Sequence, residues 1–318
     1  MNILNKISKK KPKLLVIGDL MLDRYIFGET TRISPEAPVP IVKFMKEKFM
    51  LGGCGNVVRN LHNLGIQTSI ISVIGKDSSG QKIIDELNIK NISTSGIIQI
   101  PTICTTEKMR ILSDKQQIVR VDWDANQFEL KFLKKLFDSL SETIKGKDGI
   151  IISDYGKGFC KPEILNKIIE TAKILKIPVF IDPKKQNWEK YCNASLITPN
   201  TKEAELLINE KLLYDKDFEN AGKKICSKYK IKSCLITRGK DGMSYISDDQ
   251  IFHLRSKAKE IFDVSGAGDT VIASIVVALI SGSNPKEAAQ FANNSAGIVV
   301  GHIGTSAITI KELEKIYT

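Results

Sequence analysis

Short apolar runs alternate with amphipathic stretches along most of this 318-residue chain. The runs are rich in branched residues and end in polar residues or glycine, as parallel strands buried on both faces do. The stretches between them carry apolar residues three and four apart, which is typical of amphipathic helices. This alternation predicts an α/β fold with a parallel sheet between two layers of helices. The predicted strands are residues 13–19, 68–75, 149–154, 177–183, 195–200 and 234–239, and the predicted helices are 57–65, 132–144, 162–176 and 221–230.

Two strand-like segments, 24–44 and 97–122, interrupt this alternation. Both carry proline or threonine and have no helical pattern within them, which predicts a small separate sheet. We expect this sheet to be a lid on a single domain that spans residues 1–318. Because its strands would have free edges, we also expect a homodimer that pairs two lids.

Polar residues follow several of the predicted strands. In parallel α/β sheets, ligands bind beyond the carboxyl ends of the strands. The sequence therefore predicts a functional site at this edge of the sheet. The residues expected there are Asp19, Asp154, Asp182, Asn200 and Arg238.

The formal net charge of +11 has three interpretations: a lysine-rich background, an anionic small substrate or a nucleic-acid partner. Lysines are spread along the chain, so we favour the background first and the anionic substrate second, and expect no nucleic-acid partner. The first residues, MNILNKISKKKPK, lack the apolar stretch of a signal peptide, so we expect a cytoplasmic protein without a membrane partner. Six scattered cysteines without a CxxC pair predict neither a zinc site nor disulfides.

The segment 263–269, DVSGAGD, joins glycines to a carboxylate directly before the apolar stretch 270–282. The N–H groups at a helix N-terminus bind anions, and glycine lets a phosphate approach closely. Beside such an anion, Asp269 would accept the proton of an attacking hydroxyl. The alternative is a tight turn in which Asp269 caps the helix. Since the chain has no Walker A sequence and no GxGxxG after a strand, the site would be neither a P-loop nor a dinucleotide fingerprint.

A second glycine motif, GGCGNVVRNLHNLG at 52–65, lies about two hundred residues before DVSGAGD. Together the two resemble the paired signatures of the ribokinase-like (PfkB) carbohydrate kinase family. The segments 199–207 and 237–245, PNTKEAELL and TRGKDGMSY, resemble nucleotide-side motifs of that family. The resemblance implies a ribokinase-like three-layer α/β sandwich with a mainly parallel central sheet and a small β-sheet lid.

Three further stretches, 18–42, 110–122 and 153–158, resemble the kinases of D-glycero-β-D-manno-heptose 7-phosphate within that family. Those enzymes use ATP to make the 1,7-bisphosphate on the path to ADP-heptose and the lipopolysaccharide core. The resemblance therefore implies a phosphorylated heptose as substrate. Two alternatives stay open: a kinase for another sugar or sugar phosphate, such as ribose or a fructose phosphate, and a non-catalytic protein that binds a sugar or nucleotide.

The resemblance also implies roles for individual residues. Asp269 would be the base, and Gly266, Ala267 and Gly268 would form the anion hole. The sugar hydroxyls would contact Asp19, Gly53 and Asn56, although Asn56 could instead be a helix N-cap. Of the basic residues in the quoted segments, Arg110 and Lys157 are the preferred partners of the substrate phosphate. The nucleotide side would consist of Asn200, Thr237, Arg238, Gly239 and Gly242.

The same resemblance implies that two cations bind. Mg²⁺ would accompany ATP, and Glu203 of PNTKEAE is the candidate ligand, directly or through water. A monovalent cation would lie near Val264 and the loop 301–307.

Overall fold

The computed structural model describes residues 2–113, 116–124, 127–184, 187–257, 263–302 and 304–317. Within these ranges the chain folds into two sheets and eleven α-helices. The strands are β1 (Lys13–Gly18), β2 (Leu20–Ile33), β3 (Pro40–Gly53), β4 (Gln67–Gly75), β5 (Ile97–Ile100), β6 (Glu107–Ser113), β7 (Gln116–Trp123), β8 (Gly149–Ser153), β9 (Val179–Asp182), β10 (Leu196–Ile197), β11 (Ser233–Thr237), β12 (Met243–Ser247) and β13 (Ile251–Leu254). The helices are α1 (Ile3–Lys10), α2 (Cys54–Asn63), α3 (Ser78–Ile89), α4 (Lys134–Asp138), α5 (Leu140–Ile144), α6 (Pro162–Ile174), α7 (Thr201–Ile208), α8 (Asp215–Tyr229), α9 (Ala267–Ile280), α10 (Pro285–Val299) and α11 (Ile310–Tyr317).

The central sheet has nine strands in the order β13-β12-β11-β10-β9-β8-β1-β4-β5. Pairing is parallel from β11 to β5, and β12 and β13 add an antiparallel edge. Five consecutive neighbours, β11, β10, β9, β8 and β1, therefore end at the same edge. This confirms the mainly parallel sheet that the alternation predicts.

Alternate residues of the strands belong to two separate cores. In β1, Leu14 and Val16 pack with α1, α2, α3, α9, α10 and α11 on one face, whereas Leu15 and Ile17 pack with α4 to α8 on the other. Successive side chains of a strand point to opposite faces, so a continuous apolar run supplies both cores. The three-layer sandwich implied by the resemblance is confirmed.

The second sheet has four strands in the order β3-β2-β6-β7. Strands β2 and β3 form a long antiparallel hairpin, and β6 pairs parallel to β2. The predicted boundaries of the lid were wrong at both segments. Residues 97–100 form β5, which pairs with β4 in the central sheet, because their apolar side chains complete that sheet's edge. The first segment is longer than predicted, since pairing runs from Leu20↔Gly53 to Ile33↔Pro40.

Helix α9 is buried along most of its length, in contact with α2, α10, β8 and β9. A helix that is apolar all round is stable only inside such a shell. Its N-terminus therefore has a fixed position above the ends of β8 and β9. In the described residues, no helix has both the length and the apolar character needed to cross a bilayer.

Candidate active site

The polar residues after the parallel strands meet at one edge of the central sheet, as predicted. The Asp19 N–H donates to Ser153 O at 3.2 Å, and the Asp154 N–H donates to Asp182 O at 3.0 Å. These backbone bonds join the ends of β1, β8 and β9 in one row. Asn200 and Thr237 continue the row as a parallel bridge beyond β10 and β11.

Asp269 lies in the first turn of α9, directly above this row, and its side chain is buried. Both carboxylate oxygens accept a side-chain hydrogen bond. Asn56 Nδ2 donates to Oδ2 at 3.0 Å, and the Tyr155 hydroxyl donates to Oδ1 at 2.9 Å. Burial raises the pKa of Asp269 to about 7, although the hydrogen bonds from Asn56 and Tyr155 lower it. A carboxylate with this pKa can take a proton near neutral pH.

Neither capping alternative from the sequence is correct. The N-cap of α9 is Gly266, with φ of +80°, and the N-cap of α2 is Gly53, with φ of +57°. Asp269 and Asn56 therefore lie inside their helices and face each other. A Cβ atom on Gly266 would lie 2.5 Å from Asn56 Nδ2, so glycine is needed where the two helices approach.

The predicted anion hole is partly engaged within the protein. The Ala267 N–H donates to Val264 O at 3.2 Å. Of the three predicted amides, those of Gly266 and Gly268 have no hydrogen-bond partner among the described residues and remain available to an anion. A Cβ on Gly268 would have Asp182 Oδ2 as its nearest neighbour, at 3.9 Å, so the backbone is open on this side. The anion-hole assignment stays a prediction, with two amides rather than three.

Asp19 has a different environment from the one that the resemblance implies. Its Oδ2 accepts the N–H groups of Tyr155 and Lys157 at 2.8 and 3.1 Å, and its Oδ1 accepts that of Phe159 at 2.9 Å. Burial and the Asp154 charge raise the pKa of Asp19. The carboxylate therefore holds the loop 155–159, and its contact with sugar hydroxyls stays a prediction. Gly53 lies beside Asp19, and only glycine fits there, because a Cβ would lie 2.3 Å from Asp19 O.

A buried ion pair supports the same loop from below. Asp154 pairs with the Lys190 ammonium and accepts the Tyr191 hydroxyl at 2.7 Å. Lys190 also donates to Cys160 O at 2.9 Å. Asp19, Asp154 and Cys160 have metal-ligand spacing, but these protein donors already occupy the two carboxylates. The cluster is an internal hydrogen-bond network that fixes the 155–159 loop.

Asp23 was missed by the sequence analysis although it lies in the site. It is buried on β2, with Oδ1 2.6 Å from Arg110 Nη1 and Oδ2 accepting the Thr305 hydroxyl at 3.0 Å. Its charge also contributes to the raised pKa of Asp269. The available signal was a carboxylate inside the apolar run LMLDRY, since a buried charge needs a partner or a function.

Three basic side chains cluster beside Asp23: Lys108, Arg110 and Lys157. Burial lowers the pKa of Lys108, and the charges of Lys157 and Arg110 lower it further. Arg110 pairs with Asp23 and Lys157 with Asp124. In the described part of the chain, no carboxylate lies within 4 Å of the Lys108 ammonium, which instead lies 5.4 Å from the centre of the Tyr155 ring. Lys108 and Tyr155 were not singled out from the sequence. The strand alternation of β6, which places Lys108 and Arg110 on one face, could have indicated Lys108, whereas Tyr155 lies in the loop after β8, where no periodic pattern exists.

The residues of the predicted nucleotide side lie together at the ends of β10 and β11. Asn200 caps α7 through a capping box with Glu203. Gly239 and Gly242 have φ of +57° and +95°, and a Cβ on Gly242 would lie 1.9 Å from Leu254 O. The Thr201 hydroxyl donates to Thr237 O at 3.2 Å, and this bond joins the start of α7 to the end of β11.

The side chain of Arg238 also has a structural role. Its guanidinium donates to Asp215 Oδ1 at 2.5 Å and to Ser244 Oγ at 3.1 Å, and it lies 4.1 Å from the centre of the Phe218 ring. The side chain therefore anchors the start of α8. A contact of Arg238 with the nucleotide stays a prediction.

The acidic groups below α9 fit a divalent cation. Glu203 is 6% exposed, and its Oε2 accepts the Asn200 N–H at 3.0 Å. Burial, with the charges of Asp269 and Glu203, raises the pKa of Asp182 well above its ordinary value. An excess of carboxylates with oxygen donors is the environment that hard cations prefer. The monovalent cation predicted near Val264 stays a prediction, and Ile303 of its loop lies outside the described residues.

With this geometry in view, similarity to known proteins decides the family. Residues 11–312 match the family described as pfkB family carbohydrate kinase. The chain belongs to this family. It is therefore a carbohydrate kinase, and the family implies ATP as phosphoryl donor together with a divalent metal ion. The family indicated by the two glycine signatures is confirmed, and a non-catalytic binding protein is not supported.

Curated relatives cover nearly the whole kinase. It is 41% identical over 302 residues to the bifunctional protein HldE of Helicobacter acinonychis (strain Sheeba), which is 95% of this chain and 65% of that protein. It is 40% identical over 306 residues to the bifunctional protein HldE of Haemophilus influenzae (strain PittGG), which is 96% of this chain and 63% of that protein. The chain thus spans slightly less than two thirds of these relatives.

Solved structures share the fold. The Arabidopsis thaliana ribokinase complexed with ribose and ATP has a TM-score of 0.78 at 18% identity, over 96% of this chain and 99% of that one. The phosphofructokinase-2 from Escherichia coli in complex with potassium has a TM-score of 0.79 at 19% identity, over 96% and 98%. The kinase therefore has the ribokinase-like fold predicted from its sequence.

Proposed function

We propose that this kinase transfers the γ-phosphoryl group of ATP to the anomeric hydroxyl of D-glycero-β-D-manno-heptose 7-phosphate. The product would be the 1,7-bisphosphate, a precursor of ADP-heptose for the lipopolysaccharide core. The observation that carries the chemistry is the buried Asp269 carboxylate at the N-terminus of α9. The similarity of this kinase to HldE proteins, along 95% of the chain, supports the heptose phosphate as the acceptor.

In this mechanism Asp269 accepts the proton of the anomeric hydroxyl as its oxygen bonds to the γ-phosphorus. The bond between that phosphorus and the bridging oxygen breaks, and ADP leaves. The N–H groups of Gly266 and Gly268 would stabilise the charge on the transferring group. Because the transition state of phosphoryl transfer is loose, positioning and charge stabilisation contribute more than proton removal.

Magnesium would neutralise charge on the phosphates of ATP and thereby stabilise the transition state. Glu203 is the residue that we propose to hold it, through water. Its burial beside Asp182 and its position at the start of α7, on the nucleotide side, support this assignment. A monovalent cation near Val264 is a further proposal from the resemblance.

The phosphate of the acceptor would bind the cluster of Lys108, Arg110 and Lys157. A phosphate that enters this cluster would offset the mutual repulsion that helps to lower the pKa of Lys108. Arg110 and Lys157 are paired with Asp23 and Asp124, so Lys108 is the cation most available to a new anion. This arrangement favours a phosphorylated sugar over a free one.

The substrate is tested by ADP release with a panel of acceptors: the heptose 7-phosphate, fructose phosphates and ribose. We expect the highest kcat/KM with the heptose 7-phosphate, and a Lys108→Met variant should raise KM for this acceptor while it leaves KM for ATP unchanged. A higher kcat/KM with ribose or a fructose phosphate would contradict the proposed sugar while it leaves the kinase assignment intact.

We also propose that two chains pair through the lid. Strands β3 and β7 are its edges, and every residue of β7 is exposed. Apolar side chains in contact with water favour a partner surface. Those exposed on the lid are Ile33, Val39, Phe44, Met45, Ile118, Val119, Val121 and Trp123.

Light scattering during size-exclusion chromatography tests this pairing. The wild-type protein should be a dimer and Phe44→Asp a monomer. Ile174→Asp, which changes an exposed residue of α6, should remain a dimer. A wild-type monomer at micromolar concentration would contradict the proposal.

A further inference from the structure

The tyrosine that contacts the proposed base belongs to a loop that the Asp19 carboxylate holds through three backbone hydrogen bonds. The Tyr155 hydroxyl lies 2.9 Å from Asp269 Oδ1. Its backbone N–H is bound by Asp19 at 2.8 Å. The loop continues to Phe159, whose N–H is bound by the other oxygen of the same carboxylate. One buried side chain thus fixes both ends of the segment that presents the hydroxyl.

We propose that Tyr155 is a positioning residue of this kinase, which holds the Asp269 carboxylate in its ionised form and in a fixed orientation for proton removal. The proposal rests on the assignment of Asp269 as the base. Asp19 acts through Tyr155: its three backbone hydrogen bonds set the position of the hydroxyl. The sequence resemblance assigns Asp19 to the sugar and gives Tyr155 no role.

The geometry gives each oxygen of Asp269 one donor. Asn56 Nδ2 binds Oδ2 from α2, and Tyr155 binds Oδ1 from the opposite side. Two donors from different elements restrict rotation of the carboxylate, which a single donor would leave free. Both donors also favour the charged form, because a hydrogen bond to a carboxylate stabilises its ionised state.

Tyr155 stays a donor over the working pH range. Burial, together with the charges of Asp269 and Asp182, raises the pKa of its hydroxyl well above the ordinary value. The ammonium groups of Lys108 and Lys184 lie 5.4 and 5.6 Å from the centre of its ring. These cation-π contacts hold the ring between the lid and the loop after β9.

Several other groups also face Asp269 and contribute to its titration. Asp23 on β2 raises its pKa, and Lys108 on β6 lowers it. Asp182, at the end of β9, has its own pKa raised by the Asp269 charge. Cys54 and Arg59 on α2 also interact with the Asp269 charge. A test must therefore change only the Tyr155 hydroxyl and leave these groups in place.

The pH profile of kcat/KM for wild type and Tyr155→Phe provides this test. Activity needs ionised Asp269, so it falls as the pH drops through the pKa of this group. Without the hydroxyl, the ionised form loses one donor, and the acid limb should move upward by about one pH unit, the size expected for one hydrogen bond to a charge. Well below the limb, the variant should be about tenfold slower. Above it, the two enzymes should agree within about threefold.

Tyr191→Phe is the matched control. Its hydroxyl is buried and binds Asp154, next to Tyr155 in the chain, but it does not contact Asp269. This variant should melt at a lower temperature and keep the wild-type acid limb. Because all profiles use the same substrates, titration of the substrate phosphates cancels in the comparison.

Incorporation of 3-fluorotyrosine at position 155 should shift the acid limb of the pH profile in the opposite direction. Its phenol is more acidic and donates a stronger hydrogen bond, so the acid limb should move to lower pH. An unmoved limb in Tyr155→Phe, or a limb that moves equally in Tyr191→Phe, would overturn the proposal. Asp269→Asn, measured in parallel, separates the two assignments: full activity there overturns the base itself, whereas loss of activity with an unmoved Tyr155→Phe limb overturns only the role of Tyr155.

Discussion

The acceptor side and the nucleotide side of this kinase are built in different ways. Around Asp269, buried side chains from distant parts of the chain bind one another: Asn56 is 213 residues away and Tyr155 is 114. On the nucleotide side, the contacts span shorter stretches of the chain, such as the 36 residues between Thr201 and Thr237. The Asn200 cap spans three residues, and the turn at Gly239 and Gly242 depends on positive φ angles.

This difference separates two kinds of functional residue. Local turns and caps position backbone groups, which can bind a phosphate or a nucleotide whatever the neighbouring side chains are. Acid–base chemistry needs a carboxylate with a shifted pKa, and that requires burial and partners from several elements. Three substitutions test the contrast, from the largest expected effect to the smallest.

Asp269→Asn on the acceptor side should have the largest effect. The amide has the same shape but cannot accept the proton, so kcat should fall by about 10²- to 10⁴-fold. Because nothing on the nucleotide side changes, ATP affinity measured by calorimetry should stay within about twofold. Asp249→Asn, on an exposed turn, is the control and should keep wild-type turnover. Turnover of Asp269→Asn within tenfold of wild type would contradict its role as base.

Lys190→Met tests the network below the 155–159 loop. It leaves the Asp154 carboxylate, whose side chain is fully buried, without its cation. The loss of one partner of a buried pair should lower the free energy of unfolding by about 3–5 kcal/mol in urea titrations.

Lys224→Met is its counterpart on the surface. Lys224 pairs with Glu210, and both side chains are 54% exposed. Exposed pairs contribute about 1 kcal/mol or less, so this variant should unfold close to wild type. If Lys190→Met and Lys224→Met lowered the free energy of unfolding equally, the ion pair of Lys190 with Asp154 would not be what stabilises the network.

Arg238→Met should have the smallest effect. The structure gives this side chain a role in anchoring α8, where Asp215 is largely exposed and the contact with Phe218 adds a cation-π term. We expect a loss of about 1 kcal/mol, or roughly 2 °C in melting temperature, and an unchanged KM for ATP. Lys240→Met, next to it and exposed, should change neither. A tenfold rise in KM for ATP in Arg238→Met would instead support the nucleotide-binding role that the resemblance implies for its side chain.

Much of the fold was predictable from the sequence because its signals are local. Between its terminal Lys and Asp, the run KLLVIGD has no polar position to face water, so it predicts a strand between two helical layers. Residues 97–100 were assigned to the wrong sheet, since their composition suits either edge equally. Whether IIQI pairs with β4 or with the lid depends on the chain path between them, which no four-residue pattern records.

For the site, the sequence determined by itself the glycine positions, the helix that follows them and the carboxylate of Asp269. Each depends on backbone freedom and on neighbours within one turn of a helix. Only the tertiary structure decided the partners: Tyr155 and Asn56 on Asp269, Asp19 on the 155–159 loop, Asp23 with Arg110, and Arg238 on α8. The physical reason is distance. A hydrogen bond needs atoms about 3 Å apart, and these partners, which are 23 to 213 residues apart in the chain, reach that distance only after the sheet and its helices have packed.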